Sequence, residues 1–150
     1  SSDLDKNPNA APTDFMKLAE IYVNKAKKDP AKKIENIDKA IGVYAKLSEK
    51  YPTLKTFAKL QEGNTAFQNE LDDKAIAAYT EVINELEAKQ CDEDELSYLK
   101  TSYQYMGFIY TYDKQDFNTA KPYWDKLLKL DPQNKLANDA YEKAGLKPGE

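Results

Sequence analysis

The sequence predicts an all-α fold of stacked, antiparallel helical hairpins, and three observations support this prediction. Five glycines and seven prolines accompany 32% charged residues, a composition that favours helices over a turn-rich β-sandwich. Apolar residues recur in alternating steps of three and four, as they do on one face of a helix. Nearly the same seven letters also occur three times, as DKAIGVY at 38–44, DKAIAAY at 73–79 and NTAKPYW at 118–124.

Stop signals and breaks in the apolar pattern divide the chain into paired helices. Pro52 and Pro132 end the second helix of the first and third pairs. The predicted elements are hairpins at 13–52, 54–90 and 94–132 and a capping helix at 134–144. Residues 1–12 are polar and contain proline, which predicts a loosely ordered linker, and residues 145–150 form a tail that begins with a glycine suited to ending a helix.

Local signals also predict where several helices begin. Asp29, which precedes Pro30, and Asp72 are the predicted caps of the second helix in the first two hairpins. Pro122 lies within the first two turns of the corresponding helix in the third hairpin. Because proline lacks the backbone N–H that a helix interior uses, this helix is predicted to be kinked or to start late, near Thr119.

The repeated segment places a small residue four positions before a large aromatic one. Residues four apart lie on the same face of a helix, so the small side chain lets a partner helix approach while the ring fills the space above it. One hairpin cannot bury both of its faces, and stacked copies share a continuous core. The three pairs are Ala40 with Tyr44, Ala75 with Tyr79, and Ala120 with Trp124.

The third hairpin carries the most detailed pattern in the chain. Along the sequence its members are Tyr103, Met106, Gly107, Tyr110, Ala120, Trp124 and Pro132. Their order and types resemble the tetratricopeptide repeat, with one extra residue in the turn YDKQDF. The second hairpin is similar, with Gly63 and Ala75 in corresponding positions, whereas the first contains the insertion KAKKDPAKKIEN and departs most from the pattern.

This resemblance implies both the stacking of the hairpins and a type of function. It covers about 130 residues and implies a short right-handed superhelix whose first helices line a concave groove. The segment 101–134 also resembles the closing repeat of exported tetratricopeptide proteins common in Bacteroidetes. The implied function is non-enzymatic binding of a peptide or protein segment, without a cofactor or metal ion.

The family's groove positions can be carried over to this chain residue by residue. They are Lys17, Glu20 and Asn24 in the first hairpin, Gln61, Asn64 and Gln68 in the second, and Gln104, Tyr105, Phe108, Thr111 and Tyr112 in the third. Some family members clamp a terminal carboxylate of large chaperones, and Asn64 matches one residue of that clamp. Leu60 and Tyr105 replace two others, so binding of chaperone tails is not expected.

The first helix of the third hairpin has two apolar stripes, which leaves two interpretations open. One stripe is Leu96, Leu99, Tyr103, Met106 and Tyr110, and the other is Tyr98, Tyr105, Ile109 and Tyr112. Tyrosines suit a peptide-binding wall, since each supplies a large contact area and a hydroxyl. The same rings also suit a core between layers. The alternative function is accordingly architectural: a fragment whose groove is closed by its own termini, by further repeats or by a second copy.

Composition excludes several other classes of function. All 22 basic residues are lysines, and without arginine or histidine the chain lacks the usual phosphate fork, general base and metal ligand. With a net charge of −4 and interspersed signs, nucleic-acid binding is not expected, and no apolar run is long enough to predict membrane insertion. The acidic run 91–95 lacks the spacing of a calcium loop and reads as a helix start. The compartment stays open, since an envelope location would require a leader removed from the chain as given.

Overall fold

The fold is seen in a computed structural model that describes residues 4–149. Over this range the chain is all-α, as predicted, and contains no strand. The helices are α1 (Pro12–Lys28), α2 (Lys33–Lys50), α3 (Lys55–Gln68), α4 (Asp72–Glu87), α5 (Glu93–Phe108), α6 (Phe117–Leu130) and α7 (Lys135–Lys143). Their outer ends lie within a few residues of the predicted hairpin and capping-helix bounds.

The chain divides into two compact units, Ser1–Ala78 and Tyr79–Glu150, with the boundary inside α4. In the first unit, α1 packs against α2, and α2 packs against α3. In the second unit, α5 packs against α6, and α7 packs against both of them. The α1–α2 and α5–α6 contacts correspond to the first and third predicted hairpins.

The three alanines of the repeated segment lie in the core. Ala40, Ala75 and Ala120 are completely buried. Their aromatic partners Tyr44, Tyr79 and Trp124 are also buried, and so is Gly63. Tyr110 is half-buried and stacks on Tyr123 with ring centroids 6.2 Å apart, while Pro132 is exposed just after α6 ends. The repeated letters thus mark buried positions, as the packing argument predicts.

Gly107 shows how closely the helices of the third hairpin approach each other. A Cβ atom added to this glycine would lie 2.6 Å from two carbons of the Trp124 ring. Such a contact is far inside van der Waals separation, so only glycine fits without movement of the indole. The indole Nε1 donates a hydrogen bond to Thr111 Oγ1 at 2.8 Å, which fixes the ring in place.

The helix type changes where the first helix of the third hairpin ends. Helix α5 continues into a π-helical turn at Ile109–Asp113. In this turn the N–H of Lys114 donates to the carbonyl of Ile109 at 2.9 Å, five residues back instead of four. This i→i+5 bond defines a π turn, which is wider than an α-helical turn and leads into the connection before α6.

Over residues 4–11, the segment before α1 differs from the loosely ordered linker predicted for 1–12; residues 1–3 of that prediction lie outside the described residues. Its described part contains a 3₁₀ turn at Leu4–Lys6, and Ala10 is buried. The Tyr51 hydroxyl donates to the carbonyl of Ala10 at 2.6 Å, and the Lys50 ammonium donates to the carbonyl of Asn7. Two side chains at the end of α2 therefore hold this segment against the first hairpin.

Two predictions about helix starts are also corrected. A 3₁₀ turn at Pro30–Lys32 precedes α2, so Asp29 accepts no capping hydrogen bond through its side chain and the helix starts at Lys33. Helix α6 starts at Phe117 despite Pro122, and the delayed start near Thr119 is wrong. Its first turn is stabilised by Asp116, whose carboxylate accepts hydrogen bonds from the backbone N–H and the hydroxyl of Thr119 at 3.1 and 2.6 Å.

The end of α7 matches the sequence in detail. Gly145 has a φ of +72°, the left-handed conformation expected after a helix. The N–H of Gly145 donates to Glu142, and the N–H of Leu146 donates to Tyr141, at 3.0 and 3.1 Å. This pair of bonds is the Schellman arrangement, and it satisfies carbonyl groups that the helix end would otherwise leave open.

Candidate functional site

A trough in the first unit collects the predicted groove residues of two hairpins. It has a volume of about 530 Å³ and runs between α1 and α3, with Tyr44 of α2 at its floor. Six of the predicted residues line it: Lys17, Glu20, Asn24, Gln61, Asn64 and Gln68. We call this surface the α1–α3 trough.

The α1 wall of the trough follows directly from helical geometry. Lys17, Glu20, Asn24 and Lys27 are spaced three, four and three residues apart, so they form one stripe along the helix. All four side chains are exposed. At a rise of about 1.5 Å per residue, the two lysines lie roughly 15 Å apart along the helix axis. The wall is therefore positively charged near both ends, with one carboxylate and one amide between.

The α3 wall is polar and uncharged. Gln61, Asn64 and Gln68 repeat at the same helical spacing, and Thr65 lies among them. Helix α3 can present this row because other faces of the helix are buried, including Ala58 and Ala66. Asparagine and glutamine side chains each carry a hydrogen-bond donor and an acceptor. They can therefore pair with the C=O and N–H groups of a peptide backbone.

Apolar and aromatic groups complete the floor. Met16 and Val23 are half-buried and pack on the core of the first unit, where Tyr44 is only 8% exposed. Burial, with a smaller contribution from the charge of Glu20, raises the pKa of Tyr44 above its ordinary value of 10.0. The phenol therefore stays protonated at neutral pH. The trough thus combines apolar contact area with amides and charges of both signs.

Lys27 lines the α1 wall but is not among the predicted groove positions, although the sequence contains a signal for it. Lys27 follows Asn24 by three residues and continues the stripe of Lys17 and Glu20. Extending the helical spacing by one step finds it. The spacing of Tyr44 predicts a core residue and does not indicate that the ring also reaches the trough.

In the third hairpin, two predicted groove residues make hydrogen bonds within their own unit. Gln104 Oε1 accepts a hydrogen bond from Asn134 Nδ2 at 3.0 Å. Thr111 Oγ1 accepts one from the Trp124 indole at 2.8 Å. Asn134 is the capping residue of α7 and also accepts from the N–H of Ala137, so these contacts stabilise the end of the second unit.

The predicted aromatic residues of the third hairpin contact other rings and a lysine. Tyr105 lies beside Tyr79, with ring centroids 5.8 Å apart, and Phe108 lies 4.8 Å from Tyr112. The ammonium of Lys143 is 4.8 Å from the centre of the Tyr112 ring, a cation–π contact. All three predicted rings are half-buried. Tyr112 and Thr111 also line a pocket of about 330 Å³ beside α7.

The acidic run 91–95 forms the start of α5. Asp92 caps the helix, accepting a hydrogen bond from the N–H of Glu95 at 2.8 Å, and Glu95 accepts one in return from the N–H of Asp92 at 3.1 Å. Partial burial, followed by the nearby Glu95 carboxylate, raises the pKa of the Cys91 thiol. Residues 4–149 contain no group of three or more acidic, cysteine or histidine side chains placed to hold a metal ion.

Comparisons of the chain with protein-family models, curated proteins and solved structures found no match. The tetratricopeptide resemblance therefore rests on the pattern of residues in this chain. Among the helices that the structure describes, none combines the length and apolar character needed to cross a membrane.

Proposed function

We propose that the chain is a tetratricopeptide-like interaction module that binds an extended peptide or protein segment in the α1–α3 trough. The observation that supports this most strongly is that six residues carried over from the family's groove positions line one trough of about 530 Å³. Two hairpins contribute three residues each. Their amides match the hydrogen-bonding groups of an extended backbone, and Met16, Val23 and Tyr44 supply apolar contact area.

The size of the trough also suits a peptide. Its α1 wall extends roughly 15 Å, which corresponds to about four or five residues of extended chain. A segment of this length can meet the amides of α3 on one side and the charges of α1 on the other. The module needs no catalytic group for this function, and we propose that it is not an enzyme.

The hydrogen bonds of the third hairpin favour an architectural role for that part of the chain. Gln104 and Thr111 accept hydrogen bonds from Asn134 and Trp124, so their side chains already stabilise their own unit. In this second candidate function, the hairpins serve as a spacer or an assembly element. It would apply to the whole chain if the α1–α3 trough bound no peptide.

Selection from a displayed library of random peptides tests the proposal. Peptides selected on the unchanged chain should lose binding to the double variant Asn24→Ala, Gln68→Ala, because both side chains are exposed and line the trough. The matched control is Asn118→Ala, Gln133→Ala, which removes the same two side-chain types from exposed positions in the second unit. Failure to select any peptide, or equal loss in both variants, would contradict the proposed function.

A further inference from the structure

The insertion in the first hairpin has a chemical character that the proposed function has not used. Residues 25–33, KAKKDPAKK, contain five lysines and one aspartate in a chain whose net charge is −4. They form the last turn of α1, the 3₁₀ turn Pro30–Lys32 and the first residue of α2. We call residues 25–33 the basic turn.

Most of this positive charge is not neutralised by the protein. Lys27, Lys28 and Lys32 are exposed, and none of them forms a salt bridge within residues 4–149. Lys33 lies 4.0 Å from a carboxylate oxygen of Glu70, a long contact whose acidic partner is almost fully exposed. Lys25 contacts the Tyr22 ring at 5.3 Å from its centre, which leaves its charge in place.

Helix stability explains only part of this arrangement. Lysines in the last turn of α1 interact favourably with the negative end of the helix dipole. Lys32 has the opposite position, because it is the residue immediately before α2, where the dipole is positive and a cation is unfavourable. It forms no capping hydrogen bond through its side chain. The dipole of α2 therefore does not account for a lysine at this position, whereas a role of its charge in binding would.

The basic turn continues one end of the α1–α3 trough. Lys27 is a lining residue of the trough and also a member of the basic turn, and α1 ends one residue later. A segment lying along the α1 wall therefore reaches the basic turn as it leaves the trough. Charges act over about 8–10 Å at ordinary ionic strength, so the lysines of this turn affect any charge at that end.

We propose that the segment bound in the trough carries a cluster of Asp or Glu residues at the end that lies over the basic turn. This inference depends on the proposed function and specifies its ligand: a mixed, amide-binding part followed by an acidic end. A peptide is favoured over a polyanion such as nucleic acid because the local excess of lysine over acidic residues extends over one turn only, whereas the chain as a whole is negative and repels an extended polyanion.

The experiment compares peptide selection on three forms of the chain. These are the unchanged chain, the variant Lys28→Gln, Lys32→Gln, and the control Lys6→Gln, Lys129→Gln, which removes the same charge from exposed lysines outside the basic turn. Peptides selected on the unchanged chain and on the control should be enriched in acidic residues at one end. For a labelled selected peptide, the Lys28, Lys32 variant should bind roughly threefold to tenfold more weakly, since each exposed ion pair contributes less than a factor of ten.

The outcomes separate this inference from the proposed function. Suppose that the selected peptides need Asn24 and Gln68 for binding but are not enriched in acidic residues, or bind the Lys28, Lys32 variant with unchanged affinity. The inference of an acidic end would then be wrong, while the proposed peptide binding would still be supported. Selection of no peptide would overturn both. Tight binding of a single-stranded oligonucleotide that is lost in the same variant would contradict the assignment of the basic turn to a peptide.

Discussion

At the scale of single residues, the contact between Gly107 and Trp124 is the most sensitive point of the fold. We expect Gly107→Ala to lower the free energy of unfolding by about 1–3 kcal/mol, because the new methyl group would overlap the indole ring. Urea denaturation followed by Trp124 fluorescence measures this change.

The control for this substitution is the same change at Gly42, inside α2. A Cβ atom at Gly42 meets no atom within 4 Å, so alanine adds helix propensity without a clash and should stabilise by about 0.5–1 kcal/mol. If both substitutions changed stability in the same direction, close packing at Gly107 would not be the cause.

Glu87 provides a prediction for acid conditions. Burial raises its pKa, but hydrogen bonds from Tyr103 and Lys126 outweigh burial and lower the pKa below the ordinary value of 4.5. A carboxylate with a lowered pKa in the folded state stabilises the fold above its unfolded pKa, and the contribution is lost as pH falls through the folded value. Glu87→Gln should therefore lose less stability than the unchanged chain between about pH 5 and pH 3.

Thermal unfolding at several pH values measures this difference. The control is Glu85→Gln, which removes an exposed carboxylate from the same helix without removing the acceptor used by Tyr103 and Lys126. An acid-induced loss that is the same in the unchanged chain and in Glu87→Gln would contradict the assigned hydrogen bonds.

At the scale of helices, the ends of α1 and α2 carry lysines in opposite electrostatic settings. Lys28→Asp places a negative charge at the end of α1 and should destabilise by about 0.3–1 kcal/mol, whereas Lys32→Asp places one before α2 and should stabilise by a similar amount. Both changes remove charge from the basic turn, so both should weaken binding of an acid-ended peptide.

Comparison of stability with affinity in these two variants separates folding from binding. Chemical denaturation gives the stability, and fluorescence anisotropy of a labelled peptide gives the affinity. If Lys32→Asp bound the acid-ended peptide as tightly as the unchanged chain, a binding role for Lys32 would be excluded. If it lost stability, the assigned effect of the α2 dipole would be wrong.

The end of α7 depends on the left-handed conformation of Gly145. Alanine at this position would carry a positive φ and is expected to cost about 1–2 kcal/mol, while Gly145→Asn should cost less because asparagine tolerates this conformation. Thermal unfolding of the two variants gives this order. Equal melting temperatures for both variants and the unchanged chain would show that the cap does not contribute to stability.

Helix types and packing positions could be predicted because their causes are local. The alternation of Ala120 with Trp124, and the glycine at 107 that receives the ring, are visible as letters at fixed spacing. The N-terminal segment could not be predicted, because Tyr51 and Lys50 hold it from about forty residues away. Nor could the start of α2, where Pro30 begins a 3₁₀ turn in place of an α-helix.

The groove positions that the tetratricopeptide resemblance implies lie together on α1 and α3, whereas two of those in the third hairpin make hydrogen bonds within their own unit. Residues at helical spacing on α1 and α3 line one trough, because a regular stripe fixes which side chains share a face. Thr111 and Gln104 likewise occupy groove positions implied by the resemblance. Their hydrogen bonds to Trp124 and Asn134 depend on tertiary packing, which no spacing reveals.

At the scale of the whole molecule, we expect the affinity for an acid-ended peptide to fall as the salt concentration rises. Because the basic turn is exposed, added salt should weaken binding of an acid-ended peptide more than binding of the same peptide with Asn and Gln in place of Asp and Glu. Titrations of both peptides at low and high salt measure this difference. If salt weakened the binding of both peptides equally, the acidic residues of the peptide would not contact the basic turn.

Binding of a peptide in the α1–α3 trough is tested most directly by NMR, by following the backbone amide chemical shifts of the isotope-labelled chain during titration with a selected peptide. If the proposed function is correct, the largest chemical-shift changes will occur in α1 and α3, within residues 16–27 and 61–68, which include most residues that line the trough. Changes confined to the second unit, or absent throughout under saturating peptide, would contradict it.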